Sequence, residues 1–275
     1  MKQSIATVIA NVPVADNVFV LRLEEPHLAR DVRPGQFAHV RCVPPGTNGW
    51  DPLLRRPLSI LRTGANARNS LPTEQYEIVY DVVGRGTALL AQLQPGDLID
   101  VLGPLGRPFS IDRPTARLLL VGGGVGVVPL VALAEDALRR GVSVALLAGF
   151  RSAGKVFPAE QIPSEVEYVL ATNDGSLGHA GFVTDLVPSY VSWADQICAC
   201  GPVPMLKALA SLRIPRRIPV QIAMEEHMGC AMGVCRACVV VTSEGNARVC
   251  REGPVFPLGE MRFSEGEPAT VGLRS

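Results

Sequence analysis

The hydrophobic positions of this chain change rhythm twice. Up to about residue 112 they come in short runs rich in β-branched and apolar residues, at 5–10, 18–23, 36–41, 57–61, 75–82 and 98–102. Turn chemistry punctuates them, as at Arg33-Pro34-Gly35 and Pro95-Gly96-Asp97. Short strand-like runs bounded by Gly and Pro predict antiparallel strands, and six of them in succession predict a small barrel. One short helix is expected at 88–93, after Gly86 and Thr87.

From Arg117 the runs become continuously apolar and alternate with helical patterns. Strands are expected at 117–121, 142–148, 166–172 and 196–200, and helices at 128–140, 184–190 and 202–212. Glu135 and Asp136 are expected on the outer side of the first helix. Strands buried on both faces, separated by helices, predict a doubly wound parallel sheet, and such sheets bind ligands beyond the carboxyl ends of their strands. The last rhythm is a strand at 218–223 leading out of the α/β unit, a cysteine-rich loop, a hairpin (239–242 with 247–249) and an irregular tail through Pro254, Pro257 and Gly259. The expected division is 1–112, 113–220 and 221–275, a β-barrel plus α/β architecture with a small C-terminal module.

Composition narrows the picture. Lysine and arginine balance aspartate and glutamate at 26 each, and no basic tract points to nucleic acid. Charged residues make up 19%, below the usual quarter or so, and mean hydropathy is positive. That combination fits either a rich core or a surface kept covered by a permanent partner. The first residues carry no secretory pattern, and the longest uncharged run, 118–134, is broken by four glycines and a proline. It reads as strand–loop–helix and not as a membrane span. Of seven cysteines, Cys42, Cys198 and Cys200 stand apart from the rest. This is no secreted disulfide framework, and a reducing cytoplasm is expected.

The other four cysteines carry the sharpest chemistry. Cys230, Cys235, Cys238 and Cys250 are spaced C-x₄-C-x₂-C-x₁₁-C, and the first three match the plant-type arrangement for a [2Fe–2S] cluster. Three sulfurs must point inward from one tight loop, and Gly229, Ala231, Gly233 and Ala237 supply the small residues it needs. A Cys₄ zinc site and buried free thiols are the alternatives, although zinc favours paired knuckles and Cys250 stands alone. Elsewhere the signals are individually weak. Arg55-Arg56-Pro57-Leu58-Ser59 offers a guanidinium fork for a phosphate and a hydroxyl on the same strand face, or merely a solvated surface. Gly84–Thr87 is an anion cradle at a helix start or an ordinary turn capped by Thr87. Gly122–Gly126 follows a strand but lacks the full dinucleotide fingerprint, because Pro129 occupies its final glycine position. Asn173-Asp174-Gly175 and Cys200-Gly201-Pro202 end two further strands, so three glycine-bearing loops share one sheet edge. Cys200 reads equally as a small buried hydrophobe. His27, His39, His179 and His227 are scattered and read as structural or surface residues.

In order, a barrel with Arg-Pro-Leu-Ser, then Gly122–Gly126, Thr172-Asn-Asp-Gly175, Cys200-Gly-Pro-x-x-Met205 and a cysteine cluster resembles the ferredoxin reductase superfamily over 5–215. The segment from Glu226 through Cys238, with Arg248–Phe256, resembles the electron-transfer subunits of class B dihydroorotate dehydrogenases. The resemblance implies FAD in the barrel, NAD on the parallel sheet and a [2Fe–2S] cluster at the end. It implies that Arg56, Pro57, Leu58, Ser59, Val79, Tyr80, Asp81, Gly86 and Thr87 hold the flavin. Gly122, Gly123, Gly124, Gly126, Asp174 and Cys200 would face the nicotinamide nucleotide, and Cys230, Cys235, Cys238 and Cys250 would bind the cluster. His227 stands where arginine is common, and Ala231 and Ala237 where glycine is common. The implied activity is an electron relay with no catalytic acid–base residue in this chain. The implied partner is an FMN-containing dihydroorotate dehydrogenase catalytic subunit in pyrimidine biosynthesis, in a heterotetramer of two of each. Arg236, Met228 and Met232 are expected to be exposed around the loop and to meet it. Two other readings stay open at this point, an NAD(P)H-linked subunit of a hydrogenase or sulfur-reducing complex and a zinc-stabilised binding protein. NADP also stays open, because Arg151-Ser152 follows the second strand of the α/β unit.

Overall fold

A computed structural model describes residues 1–45, 51–65 and 71–263. The tail of the third expected unit, 264–275, lies outside the described residues.

The six expected strands form a closed antiparallel barrel. They are β1 (Lys2–Ala15), β2 (Val18–Glu24), β3 (Phe37–Val40), β4 (Arg56–Thr63), β5 (Gln75–Asp81) and β6 (Leu98–Leu105), and they pair in the order β1-β2-β5-β4-β3-β6. β1 runs on past the expected end at residue 10, with register shifts at Val8/Ala10 and Pro13/Ala15; such bulges sharpen twist and let a strand curl around a small barrel. Leu21, Leu23, Tyr76, Ile78 and Val101 fill the interior. A helix not expected from the pattern, α1 (Pro26–Asp31), plugs one end with Leu28 and Ala29. Its start is set by Glu25, whose carboxylate accepts the N–H groups of His27 and Leu28 at 3.2 and 2.8 Å, and by Pro26 in the first turn. The second helix, α2 (Arg85–Leu90), begins three residues earlier than expected. Gly84 is its cap, and Thr87 lies inside the first turn, where its hydroxyl accepts from the N–H groups of Val83 and Gly84.

The second layer is a seven-stranded sheet. β7 (Arg117–Gly123), β8 (Ser143–Phe150), β9 (Glu167–Thr172), the two-residue β10 (His179–Ala180), β11 (Gln196–Cys200) and β12 (Val220–Ala223) run parallel. Helices α3 (Val127–Arg139), α4 (Val187–Val191) and α5 (Val203–Ser211) connect them. Leu118 and Leu120 of β7 face one core, with α3 and the barrel residues Val18, Leu61 and Val79. Leu119 and Val121 face the other, with α5 and the cysteine segment. The strand order β10-β9-β8-β7-β11-β12 turns back between β7 and β11, the crevice where such sheets take their ligands.

Three expectations are corrected. β12 does not lead out of the sheet; it pairs with β11 as a full member. The expected irregular tail contains β15 (Val255–Pro257), which returns antiparallel to β12 and ends the sheet. Between these two strands lie the cysteine loop and the hairpin of β13 (Val239–Thr242) and β14 (Gly245–Arg248). Glu135, finally, is not on the outer side of α3. It is 4% exposed and meets Arg62 of β4, whose guanidinium also reaches Glu77 and the carbonyl of Gln161. The helix face that looked polar is the face the barrel covers.

Candidate functional site

Two cavities open along the seam between barrel and sheet. The first, about 590 Å³, has Arg56, Pro57, Leu58, Ser59, Val79, Tyr80, Asp81 and Thr87 on its barrel side, and Cys200, Glu225, Gly229 and Ala237 on the other. The second, about 660 Å³, lies over the carboxyl ends of the parallel strands, against Gly123, Gly124, Arg151, Lys155, Asn173 and Pro202. Val79, Asp81, Val83 and Val125 line both. The cavities are therefore neighbours across one thin wall, and the first reaches the cysteine loop at its far end.

Consecutive residues of β4 (Arg56–Ser59) and β5 (Val79–Asp81) line the first cavity, so both faces of these strand ends contribute to it. Tyr80 is anchored by its hydroxyl, which donates to Asn11 at 2.9 Å; burial pushes that phenol up to about 12. Arg55 does not serve as a phosphate fork. It is bound to the Asp100 carboxylate at 2.5 Å and to the carbonyls of His39 and Asp100. Arg56 holds the carbonyl of Leu54 at 2.7 Å, and its guanidinium lies over Gly86, where an added Cβ would come within 3.0 Å of it. Gly86 is therefore a seat for Arg56 and not a wall residue. His39 is 1% exposed, with neither ring nitrogen hydrogen-bonded; burial and Arg55 hold it neutral, down to about 4.

Around the second cavity the glycines divide their work. Gly123 and Gly124 line it. Gly122 and Gly126 do not; their Cβ positions lie 2.7 Å from the Val127 side chain and 2.4 Å from the Cys200 carbonyl oxygen, so they serve close packing. Asp174 lies outside the wall, accepting from the N–H and hydroxyl of Ser176 at 3.0 and 2.6 Å, and Asn173 takes the wall position.

Cys200 is buried and lines the first cavity. Burial and the adjacent Glu225 carboxylate keep its thiol well above the ordinary range, so it is no nucleophile. Its Sγ is 4.0 Å from Glu225 Oε1. Glu225 is exposed to the cavity, and the surrounding protein, by desolvating it, raises its carboxyl. Nothing in the sequence marked it, because no motif includes it and only the fold brings it to Cys200.

The cysteine loop curls tightly. Ala231, Gly233 and Arg236 all have positive φ, at 54, 81 and 57°. The curl turns N–H groups inward: those of Met232 and Cys235 donate to Cys230 Sγ, both at 3.4 Å, and that of Cys250 donates to Cys238 Sγ at 3.5 Å. Burial pushes the Cys230 thiol up, but the donors on its sulfur outweigh this and bring it down to about 6. Burial and the Cys238 sulfur push Cys250 up to about 12. Cys230 and Cys235 influence each other's titration, and so do Cys238 and Cys250. Arg248 buckles the hairpin to the loop, pairing with Glu252 at 2.6 Å and donating to the Gly233 carbonyl at 2.6 Å. Arg236 and Met232 are exposed as expected, but Met228 is buried on the cavity wall.

A closed antiparallel barrel, a switch-point sheet, two adjoining cavities and a thiolate loop at the end of one of them define a reductase-type electron-transfer protein. The comparisons agree. Residues 225–262 match the model of the iron–sulfur cluster binding domain of dihydroorotate dehydrogenase B. A curated relative from Geobacillus sp. (strain WCH70), named dihydroorotate dehydrogenase B (NAD(+)), electron transfer subunit, is 43% identical over 95% of this chain and 99% of its own. One of the same name from Bacillus caldolyticus is 45% identical over 90% of this chain and 94% of its own. Among solved structures, an NADH-dependent reduced ferredoxin-NADP oxidoreductase superposes with TM-score 0.81 at 28% identity, over 94% of this chain and 90% of that one. The ferredoxin reductase of carbazole 1,9a-dioxygenase, at 21% identity and TM-score 0.64, shares the fold over 80% of this chain. The chain belongs to the family of dihydroorotate dehydrogenase B electron transfer subunits.

Proposed function

We propose that this chain relays electrons between NAD(H), FAD and a [2Fe–2S] cluster, and exchanges them with an FMN-containing dihydroorotate dehydrogenase catalytic subunit. The observation that carries the reading is the line formed by the two cavities and the cysteine loop, with Asp81 and Val79 on the shared wall and Gly229 and Ala237 at the cluster end. FAD supplies the chemistry that joins the ends, taking two electrons as hydride and releasing them singly.

The residues present fit these groups. Arg56, seated over Gly86, brings a cation to the first cavity, with Pro57, Leu58, Ser59, Val79, Tyr80, Asp81 and Thr87 around it. Gly123, Gly124 and Asn173 offer backbone and amide groups to a dinucleotide in the second cavity, and Gly122 and Gly126 act through the packing that shapes their loop. Cys200 and Glu225 face the same cavity from the sheet side, opposite the barrel residues. Cys230, Cys235, Cys238 and Cys250 take the cluster, their charge met by inward N–H groups. The substrate half-reaction belongs to the partner, in a complex of two of each subunit. The exposed Met232, Val234 and Arg236 at the tip of the loop support docking there. The functional units are the barrel over 1–112 and the sheet that begins after it, with β12 and β15 of that sheet flanking the cysteine segment. The seven cysteines, none in a disulfide, support the reducing cytoplasm.

The test is the visible spectrum of the anaerobically purified chain, with iron, sulfide and flavin counted on one sample. The expected result is two irons, two sulfides and one FAD per chain, bleached by NADH. Zinc without flavin would sink the relay.

A further inference from the structure

We propose that Asp81 and Lys155 form a positioning pair that holds the nucleotide cavity in register with the flavin cavity. The two residues come from different layers. Asp81 ends β5 of the barrel and lines both cavities; Lys155 lies in the loop after β8 and lines the second. The Lys155 ammonium donates to both carboxylate oxygens of Asp81, at 3.1 and 3.3 Å, and to the carbonyl of Asp16 at 2.7 Å. One cation therefore grips two barrel segments, the end of β5 and the turn between β1 and β2.

The grip is reinforced by backbone. The Asp16 N–H donates to the Gly154 carbonyl at 2.9 Å, next to Lys155 in sequence. An added Cβ at Gly154 would lie 2.2 Å from the Asp16 carboxylate and would have to displace it, so the two segments run in close contact here. The β1–β2 turn is tied in turn to β5, through the Val82 N–H on the Asn17 carbonyl at 2.8 Å.

The geometry assigns a job to this seam. Hydride transfer requires the two ring systems to stack with reacting atoms in near contact, and a misplacement of 1 Å can cost about a hundredfold in rate. One ring belongs to the barrel and the other to the sheet, so the register between layers sets their overlap. A second side-chain tie between layers, Arg62 with Glu135 and Gln161, lines neither cavity. Asp81–Lys155 lies at the shared wall. An exposed ion pair would add little, but both side chains are about a quarter exposed and the ammonium is held by three oxygens.

The inference rests on the proposed relay, and the experiment separates the two. The full chain carrying its FAD is mixed rapidly with NADH, and the limiting rate of flavin bleaching is read apart from its NADH dependence, in wild type, Lys155→Met, Asp81→Asn and Lys155→Arg. NAD(+) affinity, FAD per chain and melting temperature are measured on the same samples. Amide hydrogen exchange is followed across 14–18 and 152–156. The expected result is a limiting rate lowered about tenfold or more in Lys155→Met and Asp81→Asn, with NAD(+) affinity within about twofold and FAD retained. Exchange at both segments rises, and Lys155→Arg recovers most of the rate. A wild type that NADH does not bleach overturns the relay itself. A bleaching wild type with unchanged limiting rates and unchanged exchange in the variants overturns the pair alone. Weaker NAD(+) binding at an unchanged limiting rate also overturns it, and makes Lys155 a phosphate ligand.

Discussion

The loop after β7 and the loop from Gly229 to Cys238 are both rich in small residues, yet they use smallness for opposite ends. Around Gly126 the missing side chain makes room: the helix start packs directly onto the backbone of Cys200, with a Cβ position 2.4 Å from its oxygen. Around Cys230 the small residues make curvature, through positive φ at Ala231, Gly233 and Arg236 that turns N–H groups toward sulfur. In the first loop shape is set by what touches it. In the second it is set by what it must enclose.

This contrast can be broken in order of effect. Cys235→Ser removes a thiolate that nothing else replaces. Iron per chain should fall to near zero and electron delivery to the partner should stop, while NADH still bleaches the flavin; iron assay and stopped-flow on one preparation check it. Gly126→Ala forces the helix start off the Cys200 carbonyl and should cost about 1–3 kcal/mol as an overpacked contact, read as a lower melting temperature with the cluster intact. Gly124→Ala meets nothing within 4 Å but sits at φ +55°. It should cost about 1 kcal/mol from backbone conformation alone, with weaker nucleotide binding from a methyl on the cavity wall, measurable by titration with NAD(+). Ala231→Gly should be the mildest. It relieves a left-handed alanine and loosens the unfolded chain by a similar amount, so stability should move by less than about 1 kcal/mol. Equal losses at Gly126 and Ala231 would erase the distinction between the loops.

Legibility in the sequence followed the range of the interactions. The six barrel strands, the parallel sheet and the four cysteines were all readable, because period, punctuation and spacing are local. What was missed depends on contacts between distant segments. Glu135 looked solvent-facing because only the barrel, seventy residues earlier, supplies Arg62. Arg55 could be read only as a phosphate fork or a solvated arginine, because its partner, Asp100, comes from β6, far along the chain. α1 was hidden by its brevity, six residues with two buried positions. Within the site, Ser59 and Tyr80 line the cavity together with their neighbours Leu58 and Val79. Asp174 did not, since Ser176 two residues on turns its carboxylate into its own loop.

The return of β15 to β12 has a mechanical consequence. The cysteine segment leaves the sheet at Ala223 and rejoins it at Val255, with Ala223 and Val255 paired in register. It is therefore stapled at both ends to the sheet that carries the second cavity, and not hung on a tether. Electron tunnelling falls off exponentially with gap, so a tethered carrier would have to swing close to donor and acceptor in turn. A segment stapled in this way is held at both ends, so its cysteines keep a fixed place relative to the sheet.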